Sequence, residues 1–349
     1  MDKQRLDRAA AAFTEAREFT LEPLATGLIH QTFKLTPLAA GIPLVLQAIN
    51  KTVFVSPGDV VHNYRVIYDY LEQDGVVPQI PAPIPARNGE LLWTDPDGQP
   101  WRATAFIAGS YSPAVVEDAE SAWAVAHCFG SFTASLGGLA MSRLRVIIPG
   151  FHDLSLRYRQ FEAAIVDAPM ERLLKSTHLI AELRQRRQLA DRCAGYASDS
   201  AFPQRVMHHD CKISNILFDR QSHTVICPVD LDTVMPGRFY SDLGDMIRTM
   251  ACRVDETSTD WEAIGIRPEF YQAILKGWLD AMGGLLTDRE KMELPEAGKI
   301  MTYMQALRFL ADYLQGDKYY RTEHPDQNLH RALNQQILLE KLEKSMVLK

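Results

Sequence analysis

The sequence lacks the features that would tie the protein to a membrane. No segment approaches the roughly 20 uninterrupted apolar residues of a transmembrane helix. The amino-terminal stretch MDKQRLDRAAAAFTEA is charged at helical spacing and has no apolar run like that of a signal peptide. These absences predict a cytoplasmic protein without a membrane partner.

Clusters of positive charge are also absent. The chain has 37 Lys and Arg against 44 Asp and Glu, a formal net charge of −7, and no basic block that would neutralise a nucleic-acid backbone. Nucleic acid is therefore excluded as an expected partner, and no protein partner is evident. A nucleotide remains possible, because a few cations and a metal in a cleft can bind phosphates on an acidic protein.

Cysteine is scarce and scattered. The five cysteines are odd in number and form no CxxC pair, so neither a disulfide framework nor a zinc site is indicated. We expect each of them to be a small buried apolar residue: Cys128, Cys193, Cys211, Cys227 and Cys252.

The amino-terminal part of the chain has a pattern of short strands. With 349 residues, of which 46% are hydrophobic, the chain is long enough for two lobes. Residues 2–16 and 57–73 have apolar residues at helical spacing. The β-prone runs, separated by Gly and Pro, predict a sheet of about five strands: 19–24, 32–35, 44–49, 90–94 and 101–106.

After residues 106–109 the pattern becomes mainly helical, which places the lobe boundary there: an amino-terminal lobe at 1–108 and a carboxy-terminal lobe at 109–349. Only 205–229 interrupts the helices, with three short β-prone runs. The sequence thus predicts an α+β, two-lobed protein with an antiparallel sheet in the small lobe. The predicted helices of the larger lobe are 113–136, 153–166, 170–198 (with breaks), 241–252, 268–282, 288–315 and 328–344.

The β-rich interruption contains a motif for phosphoryl transfer. It begins VMHHDCKISNILFD and continues to VICPVDLDTVMPG, which matches the kinase catalytic-loop pattern HxDxKxxN followed by a metal-binding Asp. The alternative is an ordinary loop with an Asx turn and a satisfied buried histidine. The matching residues are His208, Asp210, Lys212, Asn215 and Asp230.

Each of these residues suits one task in phosphoryl transfer. Asp210 would accept a hydrogen bond from the acceptor hydroxyl and act as the base, and Lys212 would hold the γ-phosphate. Asn215 and Asp230 offer the oxygen ligands that Mg²⁺ prefers when ATP phosphates and waters complete its shell. We expect His208 to be a scaffold residue, packed under the loop and hydrogen-bonded to backbone, rather than a proton shuttle.

Acidic residues beyond the motif have two interpretations each. Asp232 either caps a turn or the next helix, or binds a second metal. Asp242 and Asp245 begin an apolar helix, where acidic residues are ordinary. Alternatively, Asp242 supports the catalytic loop by accepting its backbone N–H groups, and Arg248 joins that network.

At the level of whole segments the chain resembles the aminoglycoside phosphotransferase and choline kinase superfamily of protein-kinase-like folds, most of all the N-acetylhexosamine 1-kinases. The resemblance implies a small lobe that covers ATP, a hinge near Phe106–Ala108 and a helical lobe with the acceptor pocket. It also implies Mg-dependent phosphorylation of the anomeric hydroxyl of N-acetylglucosamine or N-acetylgalactosamine. The segments that carry it are GLIHQTFKLT, LQAIN, HHDCKISNILFD, VDLDTVMPGRFYSDLGDMIR and RFLADYLQGDKYY.

For the nucleotide, the resemblance implies contacts by Gly27, Gln47, Phe106 and Ala108. The chain departs from most kinases at two of these places. Gln47 stands where the third-strand Lys would be, Asn63 stands where its Glu partner would be, and only Gly27 is left of the glycine-rich loop. We expect the two amides to replace the ion pair by hydrogen bonding to each other.

For the acceptor, the resemblance implies Arg308 and the last tyrosines of the segment, Tyr319 or Tyr320. Asp317 is a weaker candidate. An Arg can hold two sugar hydroxyls, and an aromatic face packs on a pyranose ring. The alternative for Arg308 is an ion pair with Asp312 four residues later on the helix.

His30, at the tip of the loop before the second strand, is a candidate contact for the phosphates or the sugar. It is equally well interpreted as a solvent-facing turn residue. Both places are compatible with its position between GLI and QTFKLT.

Two rival functions stay open. A kinase of aminoglycosides or amino alcohols would need an acidic pocket for its cationic acceptor, and residues 300–320 hold only Asp312 and Asp317. A pseudokinase that binds nucleotide without turnover would fit the missing Lys. It would not need the intact set of Asp210, Lys212, Asn215 and Asp230.

Overall fold

A computed structural model describes residues 2–24, 29–74 and 80–346, and the chain divides into two compact units. The first unit comprises Met1–Ala114, Ser135–Pro149 and Ser214–Pro236. The second unit comprises Val115–Ala134, Gly150–Ile213 and Gly237–Lys349. Residues 214–236 thus join the first unit, and the hinge near 106–109 stays a prediction.

The first unit is built on an antiparallel sheet. Its strand order is β1-β2-β3-β6-β4, with β5 also paired to β6. The described sheet therefore has six strands where about five were predicted; the extra one, β4, is a two-residue strand between prolines that the alternation pattern could not reveal. The strands are β1 (Phe19–Pro23), β2 (Gln31–Pro37), β3 (Leu44–Ala48), β4 (Pro83–Ile84), β5 (Trp93–Thr94) and β6 (Pro100–Ala105).

Two helices belong to the same unit. Helix α1 (Lys3–Phe13) begins at Asp2, whose carboxylate accepts the backbone N–H of Arg5 at 2.8 Å. Helix α2 (Pro57–Asp74) follows β3, as predicted. The apolar face of α1 and the strands bury one core: Ala9, Ala10, Phe13, Leu35, Leu44, Leu46, Ala48, Ala86, Trp101 and Ala103.

A second small sheet of the first unit carries part of the motif. Its order is β10-β9-β7, from β7 (Ser110–Tyr111), β9 (Ile216–Asp219) and β10 (Val225–Pro228). The hairpin of β9 and β10 is the one expected between Asn215 and Asp230. Two further strands, β8 (Arg205–Met207) and β11 (Met235–Gly237), flank this region in the chain.

The second unit is mainly helical, which confirms the predicted fold class. Helix α8 agrees with its predicted bounds, whereas α3 begins six residues later than predicted and the long 170–198 segment is two helices. The helices are α3 (Ala119–Ser135), α4 (Leu154–Val166), α5 (Met170–Arg184), α6 (Gln188–Ser198), α7 (Tyr240–Met246), α8 (Pro268–Met282), α9 (Asp288–Leu314) and α10 (Gln327–Met346).

Helix α9 is the centre of the second unit. Thr287 and Glu290 form a capping box at its start, and most of its residues after Leu294 are buried. Two glycines allow α7 to approach closely: a Cβ at Gly244 would lie 2.3 Å from the carbonyl oxygen of Ala297, and one at Gly298 would meet Ile247. This packing fixes the helix whose first turn contains Asp242.

All five cysteines are buried, as expected. In the described part of the chain, no helix is long and apolar enough to span a bilayer.

Candidate active site

The catalytic-loop motif begins in a strained backbone. His209, two residues after β8, has φ 67°, in the left-handed region that residues other than glycine rarely adopt. Such strain persists where the surrounding structure enforces it, and it is common at functional sites. The strained turn directly precedes Asp210, the predicted base.

Asp242 enforces this conformation from the start of α7. Its two carboxylate oxygens accept the backbone N–H groups of His208 and His209, each at 2.8 Å. Burial raises the pKa of Asp242, although these two hydrogen bonds and the charge of His208 act in the opposite direction. The prediction that Asp242 supports the catalytic loop is confirmed.

Asp245, one turn later, holds the next part of the loop. It accepts the backbone N–H of Cys211 at 2.9 Å and forms an ion pair with Arg248 at 2.9 Å. Arg248 also contacts Glu256 at 2.6 Å. Arg248 therefore joins the network, as predicted, and compensates a buried carboxylate that would otherwise be costly.

His208 is a scaffold residue, as expected. Its ring is fully buried and stands edge-on to Phe129, with 5.0 Å between centroids. Nδ1 accepts the backbone N–H of Asp210 at 3.3 Å. The ring therefore supports the loop from below and fixes the backbone of Asp210.

Asp210 and Lys212 lie together in the second unit. Lys212 Nζ is 2.9 Å from Asp210 Oδ2, and both side chains are partly exposed, at 37% and 29%. The ammonium group is thus beside the carboxylate, and a partly exposed ion pair of this kind contributes little to stability. Its role as a γ-phosphate ligand stays a prediction.

Asn215 and Asp230 both lie in the first unit. Asn215 ends the 3₁₀ turn Ile213–Asn215 and is 4% exposed, and Asp230 follows β10 with φ 61°. The backbone N–H of Val229 donates to the carbonyl oxygen of Asn215 at 2.8 Å, which ties the two segments together. An amide oxygen and a carboxylate are suitable donors for Mg²⁺. The described residues contain no group of three His, Cys, Asp or Glu arranged for a metal.

The two amides that replace the kinase ion pair are not bonded to each other. Gln47 Oε1 accepts from Arg102 Nε at 2.9 Å, and Gln47 Nε2 donates to Thr32 at 3.3 Å. Asn63 donates to the carbonyl oxygens of Arg145 and Val234 at 2.8 and 3.0 Å. The expected amide pair is wrong, because each side chain finds a nearer partner within the first unit.

A buried ionic cluster lies beside Gln47. Arg102 on β6 forms an ion pair with Asp232, and His30 Nε2 is 2.6 Å from the other oxygen of Asp232. Arg102, Asp232 and His30 are 5%, 2% and 8% exposed. Asp232 is therefore not a turn cap, and His30 does not face solvent, so both of those interpretations are wrong.

Charges in the cluster stabilise one another. Burial alone would raise the pKa of Asp232, but Arg102 and then His30 lower it to about 2. Burial would lower the pKa of Arg102, yet the carboxylates of Asp232 and Asp230 raise it. The field of this arginine therefore reaches the predicted metal ligand Asp230.

The other predicted nucleotide contacts are less constrained. Gly27 lies outside the described residues. Phe106 donates its backbone N–H to Pro43 at 2.9 Å, and Lys34 Nζ lies 4.5 Å from the centre of its ring. Ala108 is exposed. Their contacts with a nucleotide stay predictions.

Arg308 lies among aromatic rings in the second unit. Its guanidinium carbon is 5.0 Å from the centre of the Phe151 ring and 5.8 and 5.5 Å from those of Tyr319 and Tyr320. It donates to Gln305 at 2.8 Å. Within the described residues it makes no ion pair, so the alternative that it merely pairs with Asp312 is wrong.

Asp312 and Asp317 shape the turn after α9. Asp312 accepts the backbone N–H groups of Lys318, Tyr319 and Tyr320 at 2.8–2.9 Å. Asp317, with φ 56°, is paired with Arg172 at 2.7 Å. The turn thereby holds Tyr319, 55% exposed, beside Arg308, and the carboxylate of Asp317 has a structural partner.

Sequence analysis missed the residues that link the catalytic loop to Arg308. Ser241 Oγ is 2.6 Å from His209 Nδ1 and 2.5 Å from His152 Nδ1. The rings of His152 and Phe151 stack with centroids 4.4 Å apart. His152 is far from the motif in sequence, so only its pairing in space reveals it.

Gly237 makes room for His209. A Cβ at this position would lie 2.4 Å from Cε1 of the imidazole. In the sequence, Gly237 belongs to a segment that carries the family resemblance, but no separate role was predicted for it. Its physical role is to accommodate the ring that precedes the predicted base.

A second guanidinium, also missed, accompanies Arg308. Arg157 donates to the carbonyl oxygen of Phe151 at 3.2 and 3.0 Å, and within the described residues it makes no ion pair. Burial, and then the charge of Arg308, lower its pKa to about 10. Burial and nearby cations also hold the pKa of His152 well below its usual range, so that ring is neutral at neutral pH.

Comparison with known proteins bears on this site. A family model described as the phosphotransferase enzyme family matches residues 20–295. Similar solved structures include a microcompartment-associated aminopropanol kinase (TM-score 0.65, 15% identity, 99% of this chain and 98% of that one) and an aminoglycoside phosphotransferase from Alicyclobacillus acidocaldarius (0.62, 13%, 98% and 96%). The AMP-bound spectinomycin phosphotransferase is a third (0.60, 13%, 98% and 98%). These similarities show the kinase-like fold.

Proposed function

The chain belongs to the phosphotransferase enzyme family, and from this premise we propose that it transfers the γ-phosphate of MgATP to a hydroxyl of a neutral sugar. The preferred acceptor is an N-acetylhexosamine, phosphorylated at its anomeric hydroxyl. Asp210 is the base, and Arg308 and Tyr319 hold the sugar. The family supports phosphoryl transfer, and the sugar is the part that needs a test.

One observation carries the proposal: a continuous set of contacts connects the predicted base with the predicted sugar residues inside the second unit. His209, next to Asp210, contacts His152 at 3.2 Å between their Nδ1 atoms. Phe151, next to His152, contacts Arg308. A hydroxyl acceptor between these groups would meet both a carboxylate base and a guanidinium, as an oriented sugar requires.

The charges around Arg308 favour a neutral acceptor. Arg308 and Arg157 carry positive charge without ion pairs in the described structure, and His152 adds no negative charge. An ammonium acceptor placed among them would lose its hydration and gain repulsion. A sugar offers hydroxyl and carbonyl oxygens to the same donors, and a pyranose face to Tyr319.

In the first unit, Asn215 and Asp230 would hold Mg²⁺. Their donor set, one amide oxygen and one carboxylate, fits an ion whose remaining ligands are phosphate oxygens and water. When bound, Mg²⁺ neutralises the charge that develops on the transferred phosphoryl group. In the second unit, Asp210 orients the acceptor hydroxyl and takes its proton, and Lys212 compensates the charge of the γ-phosphate.

The acceptor class is tested by a substrate panel. Purified protein is incubated with MgATP and N-acetylglucosamine, N-acetylgalactosamine, glucose, ethanolamine, 1-amino-2-propanol or spectinomycin, and ADP release is followed. Phosphorus NMR of the product then distinguishes a glycosyl phosphate from a sugar 6-phosphate by its coupling pattern. Turnover restricted to the cationic acceptors would replace the sugar proposal with an amino-alcohol or antibiotic kinase.

We predict that Asp210→Asn abolishes turnover and leaves ATP affinity within about tenfold of wild type, because it removes the base and keeps the shape. Steady-state kinetics and calorimetric ATP binding measure the two effects. Asp167→Asn, an exposed aspartate at the end of α4, is the matched control and should keep full activity. More than a few per cent of residual activity in Asp210→Asn would refute the role.

The pseudokinase alternative is decided by the same measurements. A nucleotide-binding module would bind ATP tightly and release no ADP with any acceptor of the panel. The loop support by Asp242 and Asp245 argues for turnover, since a module without chemistry would not need a base in a strained, precisely supported loop.

A further inference from the structure

Arg102 occupies a place in the sheet that the sequence left unexplained. In other kinases a Lys on the third strand binds the nucleotide phosphates and pairs with a Glu of the crossing helix. Here the third strand has Gln47, and its cross-strand partner on β6 is Arg102. A cation is thus present directly opposite position 47, on the neighbouring strand β6 instead of β3.

The contacts of Arg102 differ from those of a phosphate ligand. Its Nε donates to Gln47 Oε1 at 2.9 Å, and its guanidinium pairs with Asp232. The residue is 5% exposed. Because Nε and Nη1 face protein acceptors and the side chain is buried, these two groups act on neighbouring residues rather than on a ligand in solution.

Asp232 connects this arginine to the predicted metal ligand. Asp230 and Asp232 lie on either side of Leu231, in the left-handed residue and the 3₁₀ turn Leu231–Thr233 that follow β10. The backbone of Asp230 is left-handed, with φ 61°. Fixing Asp232 by Arg102 and His30 therefore fixes the conformation of the segment that presents Asp230.

We propose that Arg102 is a positioning residue for the Mg-nucleotide: held by Gln47, it fixes Asp232 and thereby the turn that presents Asp230, and so takes over from one strand away the role of the absent third-strand Lys. This inference rests on the proposed function only in assigning Asp230 to the metal. It gives Gln47 a structural task, which is to orient the guanidinium.

The test compares ADP binding with and without Mg²⁺ in charge-altered variants. Arg102→Gln combined with Asp232→Asn removes both charges together, which avoids leaving one buried charge unpaired. Lys51→Gln, an exposed cation of the first unit that donates to Gly98 at 2.7 Å, is the matched control. Calorimetry with Mg²⁺ or with EDTA gives the two affinities, and acceptor KM is measured in parallel.

We expect the double variant to lose about tenfold or more in MgADP affinity, as supporting residues of metal sites typically do. Its affinity for ADP in EDTA and its acceptor KM should stay near wild type, and Lys51→Gln should change nothing. Equal losses with and without Mg²⁺, or no loss, would overturn the proposal, because a merely structural role does not distinguish the two conditions.

A second variant keeps the proposal testable if the double variant does not fold. Gln47→Lys places an ammonium beside the guanidinium of Arg102, so we expect weaker MgADP binding. The double variant Gln47→Lys, Arg102→Gln has its single cation on the third strand instead of β6. We expect it to recover much of the MgADP affinity that Gln47→Lys alone loses. Tighter binding by Gln47→Lys alone would show that position 47 faces the phosphates directly and would overturn the proposal.

The two proposals fail in different ways. ADP binding needs no acceptor and no turnover, so a Mg-specific effect of Arg102 can be observed in a protein that phosphorylates nothing in the panel. In the converse outcome, the protein phosphorylates the sugar while the Arg102→Gln, Asp232→Asn double variant binds MgADP as tightly as wild type. That result would support the proposed function and contradict the positioning role of Arg102.

Discussion

At the residue scale, the second unit shows how a short motif acquires its geometry from side chains that lie elsewhere in the sequence. The backbone at His209 is left-handed, and Asp242 compensates that strain with two hydrogen bonds. Gly237 leaves the space for the His209 ring. The backbone that leads to the predicted base Asp210 is therefore held by residues near position 240, outside the motif itself.

We predict that Arg308→Ala raises the KM for the acceptor by about tenfold or more and leaves the KM for ATP nearly unchanged, since charged hydrogen bonds contribute about 1.5–3 kcal/mol. Initial rates over a grid of both substrates give the two constants. Arg289→Ala, an exposed arginine at the start of the same helix, is the control. Parallel increases in both KM values would indicate a folding defect instead of a pocket residue.

The residues that could be predicted from the sequence are those whose chemistry follows from local spacing. The series His208, Asp210, Lys212 and Asn215 lies within one short stretch, 208–215, and the support by Asp242 follows from the acidic start of an apolar helix. The residues that were missed act through long-range contacts. His152 meets His209 across 57 positions of the chain, and no local pattern encodes that distance.

The ionic cluster at Arg102 was missed for a similar reason. The register of β3 against β6 decides that Gln47 faces Arg102, and a strand pattern does not specify which residues oppose each other. Without the register, the sequence pointed to Gln47 and Asn63 as the replacements for the Lys–Glu ion pair of other kinases. The alternation pattern could predict the strands and not their partners.

At the scale of elements, the sheet of the first unit was largely predictable, because its longer strands show β-branched and aromatic runs between turn residues. The two-residue strand β4 was not, since two residues carry no period, and of the predicted run 90–94 only Trp93–Thr94 forms a strand. How α1 is attached also needed the structure. Arg5 of α1 pairs with Asp95, in the turn before β6, at 2.6 Å, and Trp101 donates its indole N–H to the same carboxylate at 3.2 Å.

This attachment predicts a pH dependence of stability. Burial alone would raise the pKa of Asp95, but the hydrogen bonds from Arg5, Gln99 and Trp101 lower it below its ordinary value. A carboxyl with a lowered folded-state pKa stabilises the fold above its unfolded-state pKa of about 4, and this contribution is lost as the pH falls below that value. The first unit should therefore be weakened in mild acid.

Urea unfolding of wild type and Asp95→Asn between about pH 7 and pH 3 measures that contribution. We expect the variant to be less stable at neutral pH and the difference between the two proteins to narrow steadily below about pH 4. Asp97→Asn, whose carboxylate is largely exposed and contacts Arg8 at 3.3 Å, serves as the control. A difference that is constant with pH would contradict the role of the ionised carboxylate.

At the scale of the whole molecule, charge separates the proposed acceptor from its rivals. The chain has a formal net charge of −7, so its long-range field attracts cations and leaves a neutral sugar unaffected. Locally, Arg308 and Arg157 oppose a cation. A neutral acceptor is affected neither by the attraction of the net negative charge nor by the repulsion from these two arginines.

The acceptor KM should therefore be nearly independent of ionic strength. Raising NaCl from about 20 to about 300 mM shortens the screening length from roughly 20 Å to roughly 6 Å, and we expect the KM of an N-acetylhexosamine to change by less than about twofold. The KM of an ammonium acceptor would rise over the same range, because screening removes the attraction of the acidic molecule. Repeating the series with KCl separates screening from binding of a particular ion. A KM of the N-acetylhexosamine that climbs with both salts would contradict the prediction, because a neutral sugar offers no charge for the ions to screen.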